Sequence, residues 1–118
     1  MDKYKIIITE SGTVDIPSKV KMTISEIADL FDIFYQTAKR EVRAIEKASI
    51  ARGDSSSSYI VDGKNIYSEY YGLDMIIALA FRVQSPNADI FRGWVINKVI
   101  KSNVVTTLVL SLQNAILN

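Results

Sequence analysis

The sequence predicts an α+β fold, a winged helix-turn-helix with two to three additional C-terminal helices. Three observations lead there. Two helical patterns stand one short turn apart between residues 23 and 48. Two β-rich runs flanking Asp62-Gly63 follow them, and the last third of the chain is helical in its apolar spacing. Helix, tight turn, helix and hairpin is the order of a winged helix-turn-helix, whose second helix suits a major groove and whose hairpin suits the flanking backbone. A length of 118 residues is the size of one domain. Within it, residues 1–72 hold the helix-turn-helix, its N-terminal strands and its wing, and residues 73–118 form a helical extension.

The elements follow in order. Residues 4–9 are rich in Ile and end at Ser11-Gly12, which reads as a strand and a turn. A second short strand over residues 14–16 stops at Pro17. In KMTISEIADLF, Thr23 stands three residues before Glu26, the reciprocal capping-box spacing, and Ile24, Ile27, Ala28 and Phe31 recur at helical intervals. Asp32-Ile33 is the turn. Asp32 stands where left-handed backbone geometry is needed, a conformation that Asp tolerates at more cost than Gly. Ala38, Val42 and Ile45 give the second helix, residues 34–48, its apolar stripe.

Gly53 opens a polar loop, GDSSSS. Asp62-Gly63-Lys64-Asn65 then separates β-rich runs at 57–61 and 66–71, a hairpin signal. LDMIIALAFRV is apolar nearly all round, as a buried helix is, with Asp74 at its cap. Ser85-Pro86-Asn87 breaks the pattern. A further helix from Ala88 or Asp89 has Ile90, Phe91, Trp94, Val95 and Val99 on its apolar face. A last one over residues 104–117 follows Val105, Leu108, Leu112 and Ile116.

Composition narrows the chemistry. The chain is 48% hydrophobic and 23% charged, ordinary for a globular protein, with no Cys and no His. Disulfides, thiolate nucleophiles, His-dependent triads and Cys- or His-ligated zinc are thereby excluded. No P-loop, dinucleotide fingerprint or metal-ligand spacing is present, so neither a cofactor nor an enzymatic activity is expected. The apolar run near the N-terminus is too short for a signal peptide, and the run over 104–117 falls short of the roughly 20 residues that span a bilayer. A cytoplasmic location without membrane partners is the expectation.

The net charge is only +1, so distribution matters more than total. Between Tyr35 and Arg52, Lys39, Arg40, Arg43, Lys47 and Arg52 face only Glu41 and Glu46, a local excess of 3 positive charges. Lys39, Arg40 and Arg43 are placed to anchor phosphates, Tyr35 and Gln36 to probe base edges, and Lys64 to support from the wing. Tyr59, Tyr67, Tyr70 and Tyr71 read as cross-strand packing partners rather than stacking platforms for bases. Phe91 and Trp94 read as core.

The stretch YYGLDMIIALAFRVQSPNADIFRGWVINKVIK, after a helix-turn-helix and a hairpin, resembles the N-terminal domain of the RhuM-like virulence protein family. The resemblance rests on Tyr70, Tyr71, Leu73, Asp74, Met75, Ile76, Phe81, Arg82, Val83, Ser85, Phe91, Arg92 and Trp94, with ITEIADLFGV-like residues before them. It covers roughly residues 4–101. It implies a bacterial cytoplasmic DNA-binding protein, often encoded beside mobile elements. This chain departs from the pattern at Asp32 (usually Gly), at Phe34 (usually a small polar cap) and at Ala38 (usually a larger aliphatic). The family's proteins commonly continue beyond this region, and the tail here has no counterpart in the motifs.

Arg82 and Arg92 are expected to pair with Asp74, Asp89 or Glu69 and set the packing of the C-terminal helices. The functional expectation is double-stranded DNA binding by a transcriptional regulator or mobile-element accessory protein. The alternative is a protein-protein interaction module on a degenerate winged helix, which Phe34, the neutral total charge and the apolar tail favour. Leu108, Leu112 and Ile116 offer a seam for a homodimer through the C-terminal helix, in keeping with paired half-sites.

Overall fold

Local signals place the first helix and its turn. The structure, a computed structural model, describes residues 2–56 and 58–117, with side chains for residues 3–56 and 58–103. Helix α1 (Ile24–Phe31) begins with both halves of the capping box: Thr23 Oγ1 accepts from Glu26 N–H at 3.2 Å, and Glu26 Oε1 accepts from Thr23 N–H at 2.9 Å. It ends at Asp32, which is left-handed at φ 53°, and Ile33 N–H closes back on Ala28 carbonyl at 3.0 Å. Helix α2 (Tyr35–Lys47) starts after an extended Phe34 whose side chain has nothing to cap with, and it buries Ala38, Val42 and Ile45.

The N-terminal strands are shorter than their sequence suggests. Strand β1 (Ile7–Ile8) pairs antiparallel with β2 (Val14–Asp15). Tyr4 lies in a 3-10 turn instead, and its carbonyl accepts from Lys21 N–H at 2.9 Å. Strands β3 (Tyr59–Asp62) and β4 (Asn65–Ser68) make the expected hairpin around a two-residue loop, with Gly63 at φ 65° supplying the positive angle such loops require. Val61 pairs with Ile66, and Ile60 with Tyr67. The second run does not reach Tyr71 as one strand. Tyr70 and Tyr71 leave the hairpin and pair elsewhere.

That departure organises the molecule. Tyr71 forms a reciprocal bridge with Met22, N–H to carbonyl at 2.8 and 3.0 Å, just before α1, and a second bridge with Gly53, just after α2. Asp54 N–H adds a bond to Tyr70 carbonyl at 2.9 Å. Segments from before α1, after α2 and after β4 are thus tied at one fully buried tyrosine. The approach is so close that a Cβ on Gly53 would overlap the Ser68 side chain and meet the Tyr71 ring.

Helix α3 (Leu73–Ala80) follows Gly72 directly and buries Met75, Ile76 and Leu79. Asp74 is not its cap. Its carboxylate accepts from Met75 N–H at 2.8 Å inside the first turn, and Gly72 is the N-cap residue. Ser85-Pro86-Asn87 lies at the break between two helices, as expected, and it also starts the second of them. Ser85 Oγ accepts from Ala88 N–H at 3.0 Å, and Pro86 occupies the first turn, where its missing N–H costs nothing. From there α4 (Pro86–Leu117) is one continuous helix, so the C-terminal part holds two helices, within the two to three that the sequence predicts. Asn87 Nδ2 donates to Leu30 carbonyl at 2.9 Å, and Arg92 donates to the Ala80 and Val83 carbonyls at 2.6 and 2.8 Å. The first turns of α4 therefore satisfy the open C-terminal carbonyls of α1 and α3. Phe91 packs edge-on against Phe31 at 5.7 Å and stacks on Trp94. Val99, expected on the same apolar face, is exposed because the globule ends before it.

Two substitutions test this framework. Gly53→Ala is expected to lower stability by about 1–3 kcal/mol, the usual cost of an added methyl in a closed site. Asp32→Ala is expected to cost about 1 kcal/mol, because Ala lacks the tolerance of Asp for left-handed geometry. Urea unfolding of both variants beside the parent chain measures each.

Candidate nucleic-acid interface

The polar side of α2 carries the predicted cations, and the hairpin divides them. Lys39 Nζ pairs with Asp62 at 2.8 Å, tying α2 to the end of β3. That hydrogen bond raises the Lys39 pKa and lowers that of Asp62. Arg43 reaches further. Its guanidinium lies 3.5 Å from the centre of the Tyr67 ring on β4, and Nη1 donates at 2.9 Å to both Glu46 Oε1 and Tyr71 Oη. Its Nε and Nη2 are buried with no hydrogen-bond partner among the described residues. Burial, then the Glu46 carboxylate, push the Tyr71 phenol upward, and the Arg43 contacts only partly offset them.

Two of the expected site residues are thus already engaged within the chain. Arg43 does not stand on an open face where it would anchor a phosphate. It is a half-buried clamp between α2, the hairpin and Tyr71. Lys39 is likewise engaged, because a neighbouring carboxylate only 2.8 Å away is the stronger local attraction.

What stays open on α2 is a narrower row. Gln36, Arg40 and Lys47 are exposed and fall within 40° of one another on a 3.6-residue helix. Arg40 is the most open of the ion-paired cations on α2, with its side chain 70% exposed and only a 3.5 Å contact to Glu41. Glu41 is mainly held by Arg82 at 2.9 Å, and that bond, with a smaller contribution from Arg40, lowers its pKa. Tyr35 is exposed at the N-terminal end of the row, beside Phe34, which is 84% exposed. Lys64 is exposed at the hairpin tip. Lys47 was visible in the sequence only as a cation near a helix end. Its alignment with Gln36 and Arg40 was the signal that places it here.

The signature arginines also differ from expectation. Arg82 pairs with Glu41 across α2 and α3 rather than with Asp74, Asp89 or Glu69. Arg92 does pair with Asp89, and adds its two carbonyl bonds on the far side of α3. Among the described residues no group of three acidic side chains converges where a metal would sit, and no helix is long and apolar enough to cross a membrane. Leu108, Leu112 and Ile116 lie outside the residues whose side chains are described.

Compared with models of known protein families, with curated proteins and with solved structures, the chain matches none.

The clamp and the ion pairs give two expected outcomes. Arg43→Ala should lower stability by about 2 kcal/mol, since it leaves Glu46 with the Tyr71 hydroxyl alone and removes a charge-assisted bond and a cation–π contact in a half-buried place. Chemical denaturation reads it. Asp62 and Glu41 both have lowered folded-state pKa values, so their contribution is complete above the ordinary carboxylate values near 4 and is lost as pH falls through the lowered ones. Tm should therefore drop below about pH 4, and Asp62→Asn and Glu41→Gln should each flatten that drop.

Proposed function

We propose that the chain is a winged helix-turn-helix DNA-binding protein that presents α2 to the major groove of duplex DNA. One observation above the others supports this reading. After the hairpin has engaged Lys39 and Arg43, α2 still displays Gln36, Arg40 and Lys47 open on one side, with the half-buried Arg43 between the last two, on a helix entered through a tight left-handed turn. In this reading Arg40 and Lys47 meet phosphates or guanine edges, Gln36 and Tyr35 probe base edges, and Lys64 touches the backbone from the wing. Lys39 and Arg43 position the wing against α2 instead of contacting DNA. The resemblance of the segment around Leu73, Asp74, Arg82, Arg92 and Trp94 to the RhuM-like family supports a cytoplasmic transcriptional regulator or mobile-element accessory protein.

A second reading is favoured by one feature. Phe34 is 84% exposed at the leading edge of the same surface, and an aromatic so placed suits an apolar protein partner. The two readings part on salt.

Fluorescence anisotropy of a labelled random-sequence duplex, titrated at low and at moderate salt, tests the proposal. Binding that weakens steeply with salt is the expected result. Arg40→Ala and Lys47→Ala should each weaken it and reduce the salt slope by about one. Asp62→Asn should strengthen it, because Lys39 loses its carboxylate. Absence of binding at low salt would overturn the DNA reading and leave the protein-partner surface.

A further inference from the structure

Arg40 and Arg82 come from different helices and share one carboxylate. Arg40 lies on α2, Arg82 just beyond the end of α3, and Glu41 joins them. Arg82 Nε donates to Glu41 Oε1 at 2.9 Å, and Arg40 Nε lies 3.5 Å from Glu41 Oε2. A guanidinium carries one N–H on Nε and the rest on its two amino groups. The carboxylate therefore takes a single donor from each arginine. The amino groups of both side chains are left without a partner among the described residues. A pair of guanidiniums against one carboxylate also leaves the cluster cationic.

The other ion-paired arginines are spent differently. Arg43 and Arg92 have side chains only 18 and 17% exposed, and their amino groups go to Glu46 and Tyr71 or to Asp89 and two carbonyls. The Arg40 and Arg82 side chains are 70 and 39% exposed. On a 3.6-residue helix Thr37 and Ala44 fall between Arg40 and Glu41, so α2 sets no large side chain there. Gln84, two residues after Arg82, lines a cavity of about 430 Å³ with Phe34 and Thr37. The chain after α3 thus borders the open side of α2.

A guanidinium with both amino groups open suits a phosphate, whose oxygens accept two parallel N–H bonds. We propose that Arg82 is a second phosphate anchor beside Arg40: Glu41 holds both arginines through Nε, and their amino groups meet the backbone of one duplex. The inference rests on the DNA reading above and extends its contact surface from α2 to the end of α3. Glu41 is then a positioning residue, and Arg82 binds the ligand besides linking two helices.

Fluorescence anisotropy with a random-sequence duplex over a series of salt concentrations is the test. Arg82→Ala is expected to weaken binding and to lower the salt slope by about one. The same change made in a Glu41→Gln chain should again lower the slope by about one, relative to Glu41→Gln alone. An effect that vanished in that background would mean that Arg82 only keeps Glu41 away from Arg40, and would overturn the inference. Arg82→Gln keeps a donor for Glu41 but not the charge, and should lose the same slope. An unchanged slope in either Arg82 variant, with thermal melts by circular dichroism showing it folded, also overturns the inference while leaving the DNA reading in place. If the parent chain binds no duplex at low salt, the DNA reading falls and the second anchor falls with it.

Discussion

Tyr71 is the constraint on which the rest of the structure depends, because three stretches of chain that are distant in sequence meet at its backbone and its ring. Its amide and carbonyl both pair with Met22, its other edge bridges Gly53, and its hydroxyl accepts from Arg43. Loss of the Met22 pairing would leave the buried backbone groups of Tyr71 without partners, which costs more than the bonds themselves contribute. The position of the hairpin relative to α2 follows from that knot, since β4 leads into Tyr71 and Tyr67 lies under the same guanidinium. So does the absence of a side chain at residue 53.

The same knot decides how the charge on α2 is used. By count, the stretch from Tyr35 to Arg52 looks like a broad cationic face. The hairpin carries Asp62 and Tyr67 to that face and takes up Lys39 and Arg43, while Arg82 on the far side takes up Glu41. The result is a narrower open strip of Gln36, Arg40 and Lys47, flanked by an aromatic edge at Phe34 and Tyr35.

Helix α4 ties two other helices together through its first turns. Near its start, Asn87 and Arg92 close the carbonyl ends of α1 and α3, so three helices share one set of hydrogen bonds. From residue 96 to residue 103 every side chain is exposed.

Much of the chain was legible residue by residue because the signals are local. The capping box of Thr23 and Glu26, the left-handed Asp32 and the spacing of Ala38, Val42 and Ile45 act within one or two helical turns, and Gly63 acts within one loop. Each gave its element without knowledge of the rest. The sequence by itself determined the α+β order, the helix-turn-helix pair, the hairpin and the absence of cysteine and histidine chemistry. Only the tertiary structure decided that Tyr71 leaves its strand to pair with Met22. It also decided that Arg43 and Lys39 serve the hairpin, that Arg82 meets Glu41, and that Ser85 and Pro86 begin one long helix. Those outcomes are competitions among partners 16 or more residues apart, or between a break and a cap, and periodicity carries no information about which partner arrives nearest.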